Sequence, residues 1–235
     1  MIQMIRSNDC RIFHTVGSKL GVVLGAACFA LASIVVTTSV DAQDVNITQD
    51  LPFFEHDTGE NFILIERNQD QEARIDDAFA KTSRPCPPFC IHPMSAGEGV
   101  ETFGELEVIG FIKEYVGTGT GFLIDTRLES WYLGGTIPGS INVSFPTFEN
   151  PETNPFLAPV LTSLGGTRNP DGTWVFANPK YLTLFCNGPW CDQSPRAIRS
   201  LLSVGYPAER LKYYRGGMQS WLMLGLSVET PFPQG

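Results

Sequence analysis

"YLTLFCNGPWCDQSPRAIRSLL", residues 181–202, joins two kinds of periodicity through a loop that carries two cysteines. Tyr181–Phe185 is a short apolar run that suits a buried parallel strand. Ser194-Pro195 then reads as helix N-cap and first helical residue, and the helical pattern runs through Leu201 and Leu202 to a stop at Gly205. That order puts the loop at the carboxyl end of a strand, where open α/β sheets bind ligands. A thiol there faces backbone N–H groups at a helix N-terminus, which lower its pKa and hold an anionic group. Cys186 follows the last strand residue directly, and Asn187 and Gly188 tolerate the backbone angles that such a cradle requires. Cys191 sits three residues before the expected N-cap. Cys186 is therefore the expected nucleophile, and Cys191 the second candidate. The pair also reads as a redox couple, or as a disulfide that merely ties the loop.

The compartment bears on that choice. Arg6, Arg11 and Lys19 precede an apolar run, Gly21–Val36, that is too short for a membrane span of about 20 residues. Val40-Asp41-Ala42 offers small residues at the cleavage positions, so residues 1–42 are expected to be a signal peptide cut after Ala42. An uncleaved membrane anchor is the alternative. A periplasmic or otherwise exported location follows. Cys10 and Cys28 would leave with the signal, while Cys86, Cys90, Cys186 and Cys191 remain where disulfides are permitted, with three pairings open. With 43% hydrophobic and 17% charged residues the chain can build a core. A net charge of −9 excludes a nucleic-acid surface and, after signal cleavage, stable association with anionic lipid.

Along the remaining chain, residues 43–98 read as an N-terminal extension and 99–235 as the main domain. Residues 43–52 are polar and read as loose; Asn61–Asn68 reads as a strand and "QEARIDDAFAK" as a short helix. "SRPCPPFCIHP" has too many prolines for a helix interior or central strand and reads as an extended linker, stapled by a local Cys86–Cys90 disulfide. Metal ligation by these cysteines and His92 has thin support, and no metal or other cofactor is expected. Residues 99–115 turn helical after Thr102, with Leu106, Ile109 and Ile112 on one face. Gly121–Asp125 reads as a buried parallel strand, "RLESWYLG" as a helical turn, and "GTIPGSINVSF" as a loop followed by a strand. Residues 150–171 read as a long surface loop; Leu211–Tyr214 is one more strand, and a short helix closes the chain. Strands alternating with helices argue for an α/β domain, a central parallel sheet with helices on both faces.

Three blocks in this order resemble the rhodanese-like family. "LIDTRLESWYLGGTIPGSINV", Leu123–Val143, is similar to its Asp-x-Arg segment and Gly-x-Ile-Pro-Gly loop. The strand–Cys186–loop–helix block comes second. "YYRGGMQSWLMLGLSVE", Tyr213–Glu229, resembles the closing Gly-Gly-x-x-x-Trp signature. The resemblance implies a three-layer rhodanese-like fold and a sulfurtransferase that carries sulfane sulfur as a Cys186 persulfide. Its partners would be a small sulfur donor and a thiol acceptor; it names no protein partner. Asn187, Gly188, Trp190 and Arg196 are the expected loop and substrate-binding residues, with Arg196 read either as an anion-binding charge or as a solvated helix residue. Asp125 and Arg127 are expected to order the loop from below. Two departures stand out. Thr136 occupies the place of a common histidine, and the family's Cys-x4-Arg spacing counts from Cys191 rather than from Cys186. A non-catalytic binding module and a thiol–disulfide redox protein using Cys186 and Cys191 are the other readings.

Overall fold

The computed structural model describes residues 44–59 and 62–231; the export segment read over 1–42 lies outside them. The chain begins with an antiparallel hairpin, β1 (Phe53–Asp57) and β2 (Phe62–Glu66), and a single helical turn, α1 (Asp77–Ala80). Then follow β3 (Glu101–Phe103), α2 (Glu105–Phe111) with a π-helical continuation over Ile112–Val116, β4 (Gly121–Asp125), α3 (Glu129–Leu133) and β5 (Ser140–Asn142). The second half comprises α4 (Leu157–Ser163), the two-residue strands β6 (Thr167–Arg168) and β7 (Trp174–Val175), β8 (Tyr181–Phe185), α5 (Gln193–Ser203), β9 (Leu211–Tyr214) and α6 (Gly217–Met223).

Five strands form one sheet in the order β3-β9-β8-β4-β5, and every pairing in it is parallel. This is the α/β architecture expected from the alternating pattern. The middle strand is β8, whose residues Leu182–Phe185 are buried because both sheet faces are covered. On one face Ile124, Leu182, Leu184, Leu211 and Tyr213 pack against α4 and α5 through Leu161, Ile198 and Leu201. On the other, Leu123, Phe185 and Tyr214 meet Ile109 and Ile112, Trp221 of α6, and Phe54, Ile63 and Ile65 of the hairpin. The extension is thus part of the cover on that face. The chain leaves β4 toward β5 and leaves β8 toward β9, in opposite directions along the sheet. That divergence opens the crevice at the carboxyl ends of β4 and β8 where such sheets place their ligands.

Several expectations need correction. Residues 44–52 are a tied turn, not loose chain: Thr48 N–H donates to Leu51 O (3.0 Å), and the Gln69 side-chain amide clasps Val45 at both N and O. β1 and β3 are additional strands; β1 exposes three of its five residues and β3 fully buries none of its three, which hides the apolar signal. The Pro- and Gly-rich stretch 150–171 contains α4, since Pro159 falls in its first turn, where the missing N–H costs no helical bond. Leu106 is 52% exposed, and the buried stripe is Val108, Ile109, Phe111 and Ile112. α5 begins at Gln193 behind Asp192, so Ser194 is inside the first turn and is not the cap.

These burial differences have measurable size. Leu161→Ala should lower unfolding free energy in urea by about 2–5 kcal/mol, the cost of a cavity under a fully buried leucine. Leu106→Ala should change it by less than about 0.5 kcal/mol. Equal effects would mean that α4 is not docked as described.

Candidate functional site

β8 ends at Phe185, which pairs in register with Asp125 at the end of β4. The Phe185 carbonyl accepts both the backbone N–H (3.0 Å) and the hydroxyl (2.8 Å) of Thr126, so the strand end is fixed. Cys186 follows, 2% exposed. The carbonyls of Cys186 and Asn187 accept the N–H groups of Met218 (3.0 Å) and Gln219 (2.9 Å) at the start of α6. With its carbonyls turned toward α6, the loop directs the Gly188 and Ser194 N–H groups at the Cys186 sulfur. This close approach explains Gly217, which sits at φ 55°; a Cβ there would lie 2.3 Å from the Cys186 carbonyl. Gly188 adopts φ 156° within the cradle, as the sequence suggested.

Cys191 turns back over the cradle because its N–H donates to Gly188 O (2.9 Å). Both thiols are free and buried, and Cys186 Sγ lies 3.3 Å from the Cys191 carbonyl oxygen, to which its protonated form donates. Burial opposes ionisation of Cys186. Hydrogen bonds from the Cys191 thiol, the Ser194 hydroxyl and the N–H groups of Ser194 and Gly188 outweigh it, and the pKa of Cys186 falls below the ordinary thiol value. Cys191 moves the opposite way: its hydrogen bond to Cys186, its burial and repulsion by the Cys186 thiolate keep its proton on. The asymmetry makes Cys186 the more acidic thiol of the pair. Ser194 Oγ is buried without a hydrogen-bond partner, and its hydroxyl is among the groups that lower the pKa of Cys186. Tyr213 on β9 adds a second buried hydroxyl without a partner, and burial followed by the nearby Cys186 charge raises its pKa. Sequence reading assigned Ser194 to a cap and placed Tyr213 on a strand; its one usable signal was that both flank the cysteine loop in the parallel-sheet arrangement.

Below the loop, Asp125 and Arg127 form a fully buried ion pair (2.6 Å). Arg127 also donates to Gly135 O (2.7 Å), and the Thr136 hydroxyl donates to Asp125 (2.8 Å). Asn142 Nδ2 donates to the carbonyls of both Asp125 and Arg127 (2.9 Å each). Neither charge points at a thiol partner; they tie the ends of β4 and β5 together, and Thr136 supplies a bond at the position where the family often has histidine. Among the described residues no group of His, Cys, Asp and Glu converges to hold a metal ion.

A family model, the rhodanese-like domain, matches residues 111–224. Residues 111–224 are a rhodanese-like domain. Over 113 residues, 48% of its length, the chain is 31% identical to the HTH-type transcriptional regulator Rv0324 of Mycobacterium tuberculosis, of which it spans only 39%. Its structure is similar to the human single-domain sulfurtransferase TSTD1, at 22% identity and a TM-score of 0.35, over 54% of this chain and 97% of that one. It is also similar to RPA3614 of Rhodopseudomonas palustris, a protein of unknown function described as a possible tyrosine phosphatase. That match has 21% identity and a TM-score of 0.41, over 57% of this chain and 88% of that one.

The rhodanese-like domain does not own all the surroundings of its cysteine loop. A strap from outside it crosses the cysteine loop. His92 N–H donates to Pro189 O (2.9 Å), and Arg215 anchors the strap by donating to His92 O (2.8 Å) and Pro93 O (3.2 Å). Phe89 meets Trp190 edge-on at 5.4 Å, and the Arg84 guanidinium lies over both rings, at 4.9 and 4.8 Å. Trp190 Nε1 donates to Gln219 (2.9 Å), whose own amide donates to Phe79 O (2.8 Å). A Cys86–Cys90 disulfide closes the turn that presents Phe89. Arg196, by contrast, is committed elsewhere: it pairs with Asp192 (2.8 Å) and Glu149 (2.9 Å) on a half-exposed surface. Two carboxylates satisfy its charge, which fits the solvated reading and not that of a cradle cation.

Alkylation of Cys186 by iodoacetamide, followed against pH, separates these contributions. The wild-type midpoint should lie below about 8.5, the free-thiol value. Ser194→Ala should move it upward, because a donor to the thiolate is lost. Phe89→Ala should leave the midpoint in place and speed the reaction severalfold by loosening the strap. An unchanged rate in that variant would show that the strap does not control access.

Proposed function

We propose that this chain is an exported sulfurtransferase whose Cys186 accepts a sulfane sulfur and passes it to a thiophilic acceptor. The observation that carries the reading is the position of Cys186. It is a thiol with lowered pKa, at the carboxyl end of the middle strand, ringed by N–H and hydroxyl donors. Such donors favour the thiolate that attacks, and they then face the charge that the bound sulfur carries. With thiosulfate as donor, the Cys186 thiolate bonds to the outer sulfur and sulfite departs with the electron pair of the broken S–S bond. An acceptor such as cyanide or a thiolate then takes that sulfur and returns the Cys186 thiolate. Arginine plays no part in this account, since Arg196 is held by Asp192 and Glu149. Asn187, Gly188 and Trp190 shape the loop. Export rests on the basic start, the short apolar run and the small residues before Gln43.

Purified protein should convert cyanide to thiocyanate in the presence of thiosulfate or inorganic polysulfide. Cys186→Ser should reduce that rate to the uncatalysed background, whereas undiminished activity in the serine variant would remove Cys186 from the chemistry. A binding-only module would give no thiocyanate with either donor. For export, N-terminal sequencing of the protein from a periplasmic fraction should begin at Gln43; a full-length chain held in the membrane pellet would instead mark an uncleaved anchor.

A further inference from the structure

Cys191 forms no bond to sulfur in the uptake derived above, yet it is buried against the nucleophile. The loop is built to keep it there: the Cys191 N–H to Gly188 O bond folds the chain back, and the Cys191 carbonyl lies 3.3 Å from Cys186 Sγ. The strap closes the outer side, with Phe89 and Arg84 on Trp190, and Cys186 is only 2% exposed. An external acceptor must displace that cover to reach a sulfur held on Cys186. A thiol already in contact with Cys186 needs no entry path, and it acts at a high effective concentration.

We propose that Cys191 is a resolving thiol that reduces the sulfane sulfur on Cys186 and releases it as hydrogen sulfide. The inference rests on the sulfurtransferase reading of Cys186. The Cys191 sulfur attacks the inner sulfur of the Cys186 persulfide; a Cys186–Cys191 bond forms and the bond to the outer sulfur breaks. The outer sulfur leaves with that electron pair and takes the Cys191 proton. Two thiol sulfurs are oxidised to one disulfide as the sulfane sulfur is reduced to sulfide. An external thiol or dithiol restores the pair by thiol–disulfide exchange. The electrostatics agree with this sequence of events. In the resting site the Cys186 thiolate, together with burial, holds the proton on Cys191. Once Cys186 carries a second sulfur, its negative charge sits one atom farther out, and the leaving sulfur becomes the acceptor for that proton.

The test uses the full chain with Cys186 and Cys191 reduced and the Cys86–Cys90 disulfide intact. Separate samples are treated with thiosulfate and with inorganic polysulfide, freed of donor, and assayed for released sulfide and for cysteine state by alkylation and peptide mass. Wild type should release one sulfide per loaded chain without added thiol and finish with a Cys186–Cys191 disulfide. Cys191→Ser and Cys191→Ala should keep the extra sulfur on Cys186, with a persulfide lifetime longer by more than about tenfold. A wild-type persulfide as long-lived as that of the variants, with no disulfide, overturns the resolving role and leaves the sulfurtransferase reading intact. Absence of sulfur, sulfide and disulfide from wild type and both variants with either donor overturns the sulfurtransferase reading itself. The wild-type readouts stand even if a variant fails to fold.

Discussion

A thiolate taken out of water must find its hydrogen bonds inside the protein, and that requirement organises this structure. Burial alone would hold the proton on Cys186. The opposing pull toward ionisation comes from several donors that converge on one sulfur: two backbone N–H groups, the Ser194 hydroxyl and the Cys191 thiol. For the N–H groups to point inward, the loop carbonyls must point elsewhere. α6 meets them with the N–H groups of Met218 and Gln219. α6 comes close enough only because Gly217 lacks a side chain. The chain of dependence therefore runs from one missing Cβ to the acidity of a thiol several residues away.

The ion pair of Asp125 and Arg127 has a different task. A buried salt bridge adds little net stability, and breaking one leaves an uncompensated charge. Here it fixes geometry: the pair, with Thr136 and Asn142, locks β4 to β5 beside the strand end that delivers Cys186. Threonine suffices at position 136, because what Asp125 needs from that position is one donor.

The sheet was legible from sequence wherever a strand is buried on both faces. Gly121–Asp125, Tyr181–Phe185 and Leu211–Tyr214 are mostly apolar runs, and they became β4, β8 and β9. β1 and β3 escaped because exposed strands carry charged residues among the apolar ones. α4 was masked by prolines and glycines that mark loops in general yet are harmless in a first turn. Cys186 stood out through its place between strand and helix. Ser194 did not, since a serine near a helix start satisfies capping and thiolate donation equally well as a pattern. Tyr213 is one apolar-looking residue in an apolar strand; nothing local reveals that its hydroxyl would be left without a partner beside a sulfur.

The strap and hairpin bear on what can be moved from this chain to another. The family match begins at residue 111, within the last residue of α2 and beyond the sheet's edge strand β3. A graft cut there would lose an edge strand, the hairpin residues Phe54, Ile63 and Ile65 that seal one face of the sheet, and the clasp on Trp190. What evolution copies as a recognisable module and what closes as a self-sufficient body have different borders here. The portable piece of this protein starts well upstream of its family signature, and the surroundings of its cysteine loop are assembled from both sides of that seam.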